Sequence, residues 1–236
     1  MSNCNRSDRS VHCTRRPLVL ASGSPRRREL LGLLGARFRL EVPDVPEDPL
    51  SGERPPALAL RLSLAKAEAV AARFPADLVI AADTIVVLGE RVLGKPADPP
   101  EALRMLRALR GREHLVYTAL ALVGRGDGLR LQELAATPVR MANYSDEELA
   151  RYVASGDPLD KAGAYAIQAE SFAPVARFQG CYANVVGLPM CHLYRALRAL
   201  GRPTPVHPLD ACPLAAAQGC PWSHAITQAP AGEGMA

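Results

Sequence analysis

The chain has 236 residues, 48% hydrophobic and 22% charged, which is ordinary for a globular protein with a sizeable core. Its formal net charge of +4 suits an anionic small molecule as well as nucleic acid, but 5% aromatic residues are too few for a base-stacking platform. No run of about 18 apolar residues occurs, so no membrane-spanning helix is predicted.

Residues 1–16 carry Arg6, Arg9, Arg15 and Arg16 against one Asp8. Asp8 and the lack of an apolar face favour a disordered tail over a mitochondrial presequence. Leu18 to Ala21 then reads as a short buried strand, followed by the small residues Ser22, Gly23 and Ser24. Ser24 suits a helix N-cap and Pro25 the first helical position. Leu30, Leu31, Leu33 and Leu34 give that helix an apolar face, and Gly35 suits its left-handed end. A strand, a tight turn and a helix start present free backbone N–H groups to an anion. Arg26 and Arg27 oppose the helix dipole in its first turn, which suits either a phosphate partner or a solvated face. No Walker loop is present.

Arg37 to Val42 alternates like a strand, and Pro43, Pro46 and Pro49 break the chain after it. The loop carries Asp44, Glu47 and Asp48, an acidic surface loop on composition alone. A helix is predicted from Pro55 to about Arg73, with Lys66 at the border of its apolar stripe, either snorkelling or facing a cleft. Leu78 to Ala82 looks like a central strand. Asp83 and Thr84 interrupt the apolar run, which resumes at Ile85. A lone carboxylate there is costly to bury unpaired, so Asp83 is expected at a strand end, paired with a cation or lining a cleft. Gly89-Glu90 predicts a hairpin turn, with Arg91 to Leu93 returning before Lys95.

Asp98 and Glu101 cap a predicted helix to Leu109. His114 to Val123 and Leu129 to Met141 form a predicted hairpin. The GRGDG turn at 124–128 lies between strands, so it is no dinucleotide site. Ser145 to Glu148 is a capping box for a helix to about Ser155. Asp160 to Gln168 packs charged, small and amide residues with little periodicity, as a site loop does. Two short strands are expected between Ser171 and Val186, and Gly187-Leu188-Pro189 introduces a last helix to about Leu200. Residues 202–236 are rich in Pro, Ala and Gly and are expected to be disordered. The six cysteines form no C-x-x-C pair, which argues against a zinc site or a disulfide framework and points to a reducing compartment.

LASGSPRRRELL, AADTIV, GKP, GREH, DKAGAYAIQ and NVVGLP occur in this order between Leu20 and Pro189. In these six motifs the chain resembles the Maf family of nucleoside triphosphate pyrophosphatases from about Leu18 to Leu200. The resemblance implies a mixed α/β fold of the Maf and ITPase-like type: an elongated sheet flanked by helices, with two lobes around a central cleft. The expected organisation is a tail at 1–16, one catalytic domain at 17–201, and a tail at 202–236. Arg26, Thr84 and Gln168 match the branch acting on dTTP and UTP. A similar domain occurs in animals fused to a methyltransferase-like domain.

By resemblance the reaction is attack of water on the α-phosphorus, with pyrophosphate leaving. Asp83 and Glu47 are then the catalytic carboxylates and the ligands of a divalent metal, Mg²⁺ or Mn²⁺. Lys66 and Lys95 join Arg26, Arg27 and Ser22 in neutralising the triphosphate. Thr84 and Gln168 supply donors and acceptors for a pyrimidine edge. Asp160 and Lys161 are expected to pair, either shaping the site or serving structure alone. The expected setting is cytoplasmic, without stable nucleic-acid or membrane partners, and the apolar helix faces would support a homodimer. A nucleotide- or nucleic-acid-binding regulator of cell division is the alternative reading. A covalent phosphatase is disfavoured, because no Cys or Ser nucleophile motif is present.

Overall fold

The computed structural model describes residues 16–169 and 172–232. Among them, seven strands form one mixed sheet. β1 (Leu18–Ala21) pairs in parallel with β2 (Phe38–Glu41) on one side and with β3 (Leu78–Leu88) on the other. The order continues antiparallel through β5 (Glu113–Gly124), β6 (Leu129–Met141) and β7 (Val175–Phe178), while the short β4 (Arg91–Leu93) folds back on the end of β3. α1 (Pro25–Leu33), α2 (Pro55–Arg73), α3 (Pro99–Leu109) and α4 (Asp146–Ala154) start where sequence places them. Ser24 caps α1, Asp98 caps α3, and the Ser145–Glu148 capping box is complete.

The two faces of the sheet are covered differently. On one face α2 packs Ala67, Val70 and Ala71 on Val79 and Ala81, and Leu58, Ala59 and Leu62 on Ile85 and Val87. The other face is covered in two parts. α1, α5 (Tyr182–Val186) and α6 (Met190–Ala199) pack on Leu78, Ile80 and Ala82, whereas α3 and α4 pack around Val86, Val116 and Val139. The period-two alternation of β3 thus sends odd-numbered side chains toward α2 and even-numbered ones to the opposite face.

Three expectations need correction. β3 is continuous through Asp83, so that carboxylate does not lie at a strand end. Between Ser171 and Val186 only one strand forms among the described residues; Tyr182–Val186 is a single-turn helix, ended by Gly187 at φ 119°. Alternation over so few residues does not separate the two.

The third concerns the ends of the chain. Residues 1–15 lie outside the described residues, but Arg16 pairs with Asp127 at 3.0 Å and belongs to the fold. Residues 202–232 form three short helices, α7 (Pro208–Ala211), α8 (Pro213–Gln218) and α9 (Ser223–Gln228). Pro208 and Pro213 start helices here rather than preventing them. Low charge is not a sign of disorder in this segment, because apolar residues take the place of the charged ones, and Cys212 and Ile226 are buried. The segment is tethered by Val206 N–H to the Leu34 carbonyl (3.1 Å) and by Arg195 and Arg198 to the Ile226 and Thr227 carbonyls. Gly35, at φ 70°, lies against Pro205, where a Cβ would approach to 3.1 Å.

Candidate active site

The site begins where the sheet has a notch. β1 pairs with β3 as far as Ala21 opposite Ala81, and β4 takes up the same edge at Val86. Among the described residues no strand covers that edge from 82 to 85. Asp83 and Thr84 occupy the gap, and a cleft of about 740 Å³ opens over it.

Adjacent strand residues point to opposite faces, so these two side chains meet different partners. Asp83 faces α2, where its Oδ1 lies 2.5 Å from Lys66 Nζ. Lys66 is not at the border of the apolar stripe but within it, between Leu62 and Val70, and only 8% exposed. An ammonium buried there requires counter-charge. Glu47 supplies more of it, reaching from the Pro43–Pro49 loop to within 2.6 Å of Nζ. Partial burial works to raise the Glu47 carboxyl, but the Lys66 hydrogen bond and the charges of Lys66, Lys95 and Arg27 outweigh it and hold it below its ordinary value.

Thr84 faces α1. Its Oγ1 accepts a hydrogen bond from Arg27 Nη2 at 2.9 Å, while Arg27 Nε donates to the Gly187 carbonyl at 2.8 Å. Burial and the charge of Arg26 lower the Arg27 pKa, opposed by Asp83 and Glu47. Ser22 and Ser24 tighten the turn before α1: Ser22 Oγ accepts from Ser24 N–H and Ser24 Oγ from Arg27 N–H. Arg26 reaches across to Asp160 at 3.7 Å. Lys161 is buried between Asp160 (2.7 Å) and Asp157 (3.0 Å). Lys95 and Gln168 are exposed at the rim, Gln168 meeting the Tyr182 hydroxyl.

All eleven residues singled out from sequence line this one cleft, and so do all three lysines of the chain. Several supporting residues give no signal of their own in the sequence. Asp157, which holds Lys161, sits in an ordinary turn after a helix. Thr118, Asn184 and Gly187 sit under the cleft. NVVGLP marks the segment of the last two, but no local pattern shows that its backbone carbonyls serve Arg27 and Thr118.

Beneath the cleft, His114 Nε2 lies 2.7 Å from the Tyr165 hydroxyl and its Nδ1 has no hydrogen-bond partner. Burial pushes its pKa down to about 4. The unfolded chain therefore binds the proton more tightly, and stability present above about pH 6.5 declines as pH falls toward 4. His192, buried and near Arg195, is pushed down to about 3 and adds to the same trend. Thermal melts from pH 7 to 4 are expected to fall less steeply in His114→Phe than in the parent. Equal slopes would show that His114 does not contribute.

The Maf-like protein family model matches residues 17–200. The dTTP/UTP pyrophosphatase of Koribacter versatilis (strain Ellin345) is 48% identical over 184 residues, 78% of this chain and 94% of that protein. The dTTP/UTP pyrophosphatase of Anaeromyxobacter dehalogenans (strain 2CP-1) is 49% identical over 190 residues, 80% of this chain and 96% of its own. A solved HAM1 protein from Coxiella burnetii aligns over 55% of this chain and 74% of its own at TM-score 0.37 and 19% identity, too slight a likeness to bear on the site. With a family match over residues 17–200 and such identity across almost the full length of these relatives, the chain belongs to the Maf-like protein family.

Proposed function

We propose that this protein hydrolyses dTTP and UTP at the α–β phosphoanhydride bond, releasing the nucleoside monophosphate and pyrophosphate. The observation that carries this is the meeting of Asp83, Glu47 and Lys66 in a notch beside the start of α1, where backbone N–H groups and arginines suit a polyphosphate. The substrate preference follows the names of the relatives. Phosphoryl transfer asks mainly for positioning and charge neutralisation, and this cleft is built for both.

In this reading the triphosphate lies against the Ser22–Ser24 turn. Arg26 and Arg27 act as fork-shaped donors and Lys95 as a mobile point charge at the rim. Asp83 orients the attacking water and takes its proton as the bond to the β-phosphate breaks. Glu47, kept ionised by Lys66, holds that ammonium in place from the other side. Asp160 and Lys161 brace the loop that carries Gln168.

Among the described residues no group of three or more metal-binding side chains converges. Mg²⁺ and Mn²⁺ suit fewer: one or two carboxylates plus phosphate oxygens suffice. Asp83 and Glu47 already converge on one cation, the Lys66 ammonium, and that donor set fits. These two residues would hold the metal, which would supply neutralisation of phosphate charge. Among the described residues no helix is long and apolar enough to cross a membrane, and the four described cysteines are free thiols, as a cytoplasmic setting would keep them.

The test is hydrolysis of dTTP, UTP, CTP and 7-methyl-GTP with Mg²⁺ or Mn²⁺, scoring pyrophosphate against free phosphate. Pyrophosphate from dTTP and UTP is expected. Free phosphate would move the cut to the outer bonds, and no turnover would favour a binding module. Substituting Gln168 by Ala is expected to change the ranking of nucleotides more than the rate on the best one. A uniform loss across all four would instead place Gln168 in the phosphate chemistry.

A further inference from the structure

Residues 42–54 join β2 to α2 in neither helix nor strand, and they carry Glu47 to the notch. Glu47 meets Lys66 at 2.6 Å, but its side chain is 54% exposed. A solvated ion pair holds a loop weakly, because water screens it and two long side chains must be ordered. Pro43, Pro46 and Pro49 stiffen the segment without fixing its place on the body.

That place is fixed by Arg61 of α2. Its Nε donates to Glu53 Oε1 at 2.7 Å and its Nη2 to Glu53 Oε2 at 2.8 Å. Nη2 also donates to the Asp48 carbonyl at 3.0 Å. One guanidinium thus grips the far end of the loop and the residue that follows Glu47. Glu53 Oε2 accepts in addition from the Leu50 N–H at 3.1 Å, and the Glu53 N–H returns to the Leu50 carbonyl at 3.0 Å. These bonds close the turn through Gly52, which stands at φ 73°. The Arg61 hydrogen bonds hold the Glu53 carboxyl down at about 2, so the grip does not titrate near neutral pH.

A planar fork sets both distance and direction, which a lysine could not do. Arg61 and Lys66 stand on one helix, about 7.5 Å apart along its axis. So α2 fixes the loop backbone with Arg61 and meets the loop carboxylate with Lys66. Arg61, Glu53 and Asp48 stand outside the lining of the cleft. We propose that Arg61 is a positioning residue for Glu47: by gripping Glu53 and the Asp48 carbonyl, it sets the 42–54 loop so that the Glu47 carboxylate reaches Lys66 beside Asp83. The expected effect on rate rests on the hydrolytic reading above; the effect on the loop does not.

A shift of about 1 Å in a catalytic group can cost up to about 10²-fold, so Arg61→Gln is expected to lower kcat for dTTP by about 10-fold or more. In a Glu47→Gln background the same substitution should cost less than about 2-fold, because the group it positions is already gone. A full repeat of the loss there overturns the proposal. Deuterium exchange followed by mass spectrometry reads the loop without turnover. In Arg61→Gln the amides of 44–53 should exchange at least about 10-fold faster, while those of α2 and β3 keep the parent's protection. Unchanged exchange in 44–53, or faster exchange spread evenly over the chain, overturns the proposal. Should Arg61→Gln fail to fold, Glu53→Ala breaks the grip from the loop side and carries the same expectations. If the parent releases no pyrophosphate, the hydrolytic reading falls. In that case, or where Glu47→Gln leaves no rate to compare, the exchange comparison alone decides the positioning.

Discussion

Asp83→Asn is expected to lower kcat for dTTP by at least about 10²-fold, the usual loss when a residue that handles the proton is removed. The amide keeps the shape and a hydrogen-bonding oxygen toward Lys66 but gives up the charge and the ability to take a proton. Glu47, 2.6 Å from Lys66 Nζ, still compensates the ammonium, so folding should survive. The melting temperature should stay within a few degrees while pyrophosphate release collapses. Full activity in the variant would remove Asp83 from the chemistry, and with it the reading of the notch as a hydrolytic site. A collapse of both activity and melting temperature would make the Lys66–Asp83 pair a structural one.

The second large effect lies behind the sheet. Glu133 of β6 and Arg195 of α6 form a two-point ion pair, 0% and 1% exposed, with Nε to Oε1 at 3.1 Å and Nη2 bonded to Oε2. The Gly232 N–H also reaches Glu133 Oε1, at 3.0 Å. The 202–232 segment thus closes over a buried charge pair. Glu133→Gln takes one carboxylate away from a buried guanidinium, and breaking a buried ion pair from one side costs about 3–5 kcal/mol. For a chain of this size that is a drop in Tm on the order of 10 °C. Replacing both partners by apolar residues of similar volume, as in Glu133→Leu with Arg195→Met, should recover much of the loss, because the penalty comes from a buried charge that has lost a carboxylate. Thermal melts of the single and double variants decide it. A single-variant loss below about 1 kcal/mol would mean that water reaches the pair.

Residues that act through their immediate neighbours in the chain are legible from the sequence alone. The helix starts at Pro25, Pro99 and Asp146 follow from a cap, a proline at the first turn or a capping box, all set within four residues. The long hairpin of β5 and β6 follows from two apolar runs around a glycine-rich turn. Asp83 stands out because a carboxylate in an apolar run must be accounted for somewhere. Nine of the eleven candidates that gather in the cleft lie in one of the six motifs, whereas Glu47 and Lys66 lie outside them.

Local sequence therefore specifies the elements and the residues whose chemistry does not suit a plain core, while tertiary structure decides who meets whom. That Asp83 looks to α2 and Thr84 to α1 depends on which face each helix covers, and the notch that exposes them depends on where β1 stops and β4 begins along the same edge. Lys66 is a buried partner rather than a snorkelling one because two carboxylates from distant segments reach it. Residues 202–232 are ordered because Glu133, Arg195 and Leu34, far back in the chain, offer them partners. Such pairings are set by packing across long sequence separations, and short-range propensity carries no trace of them.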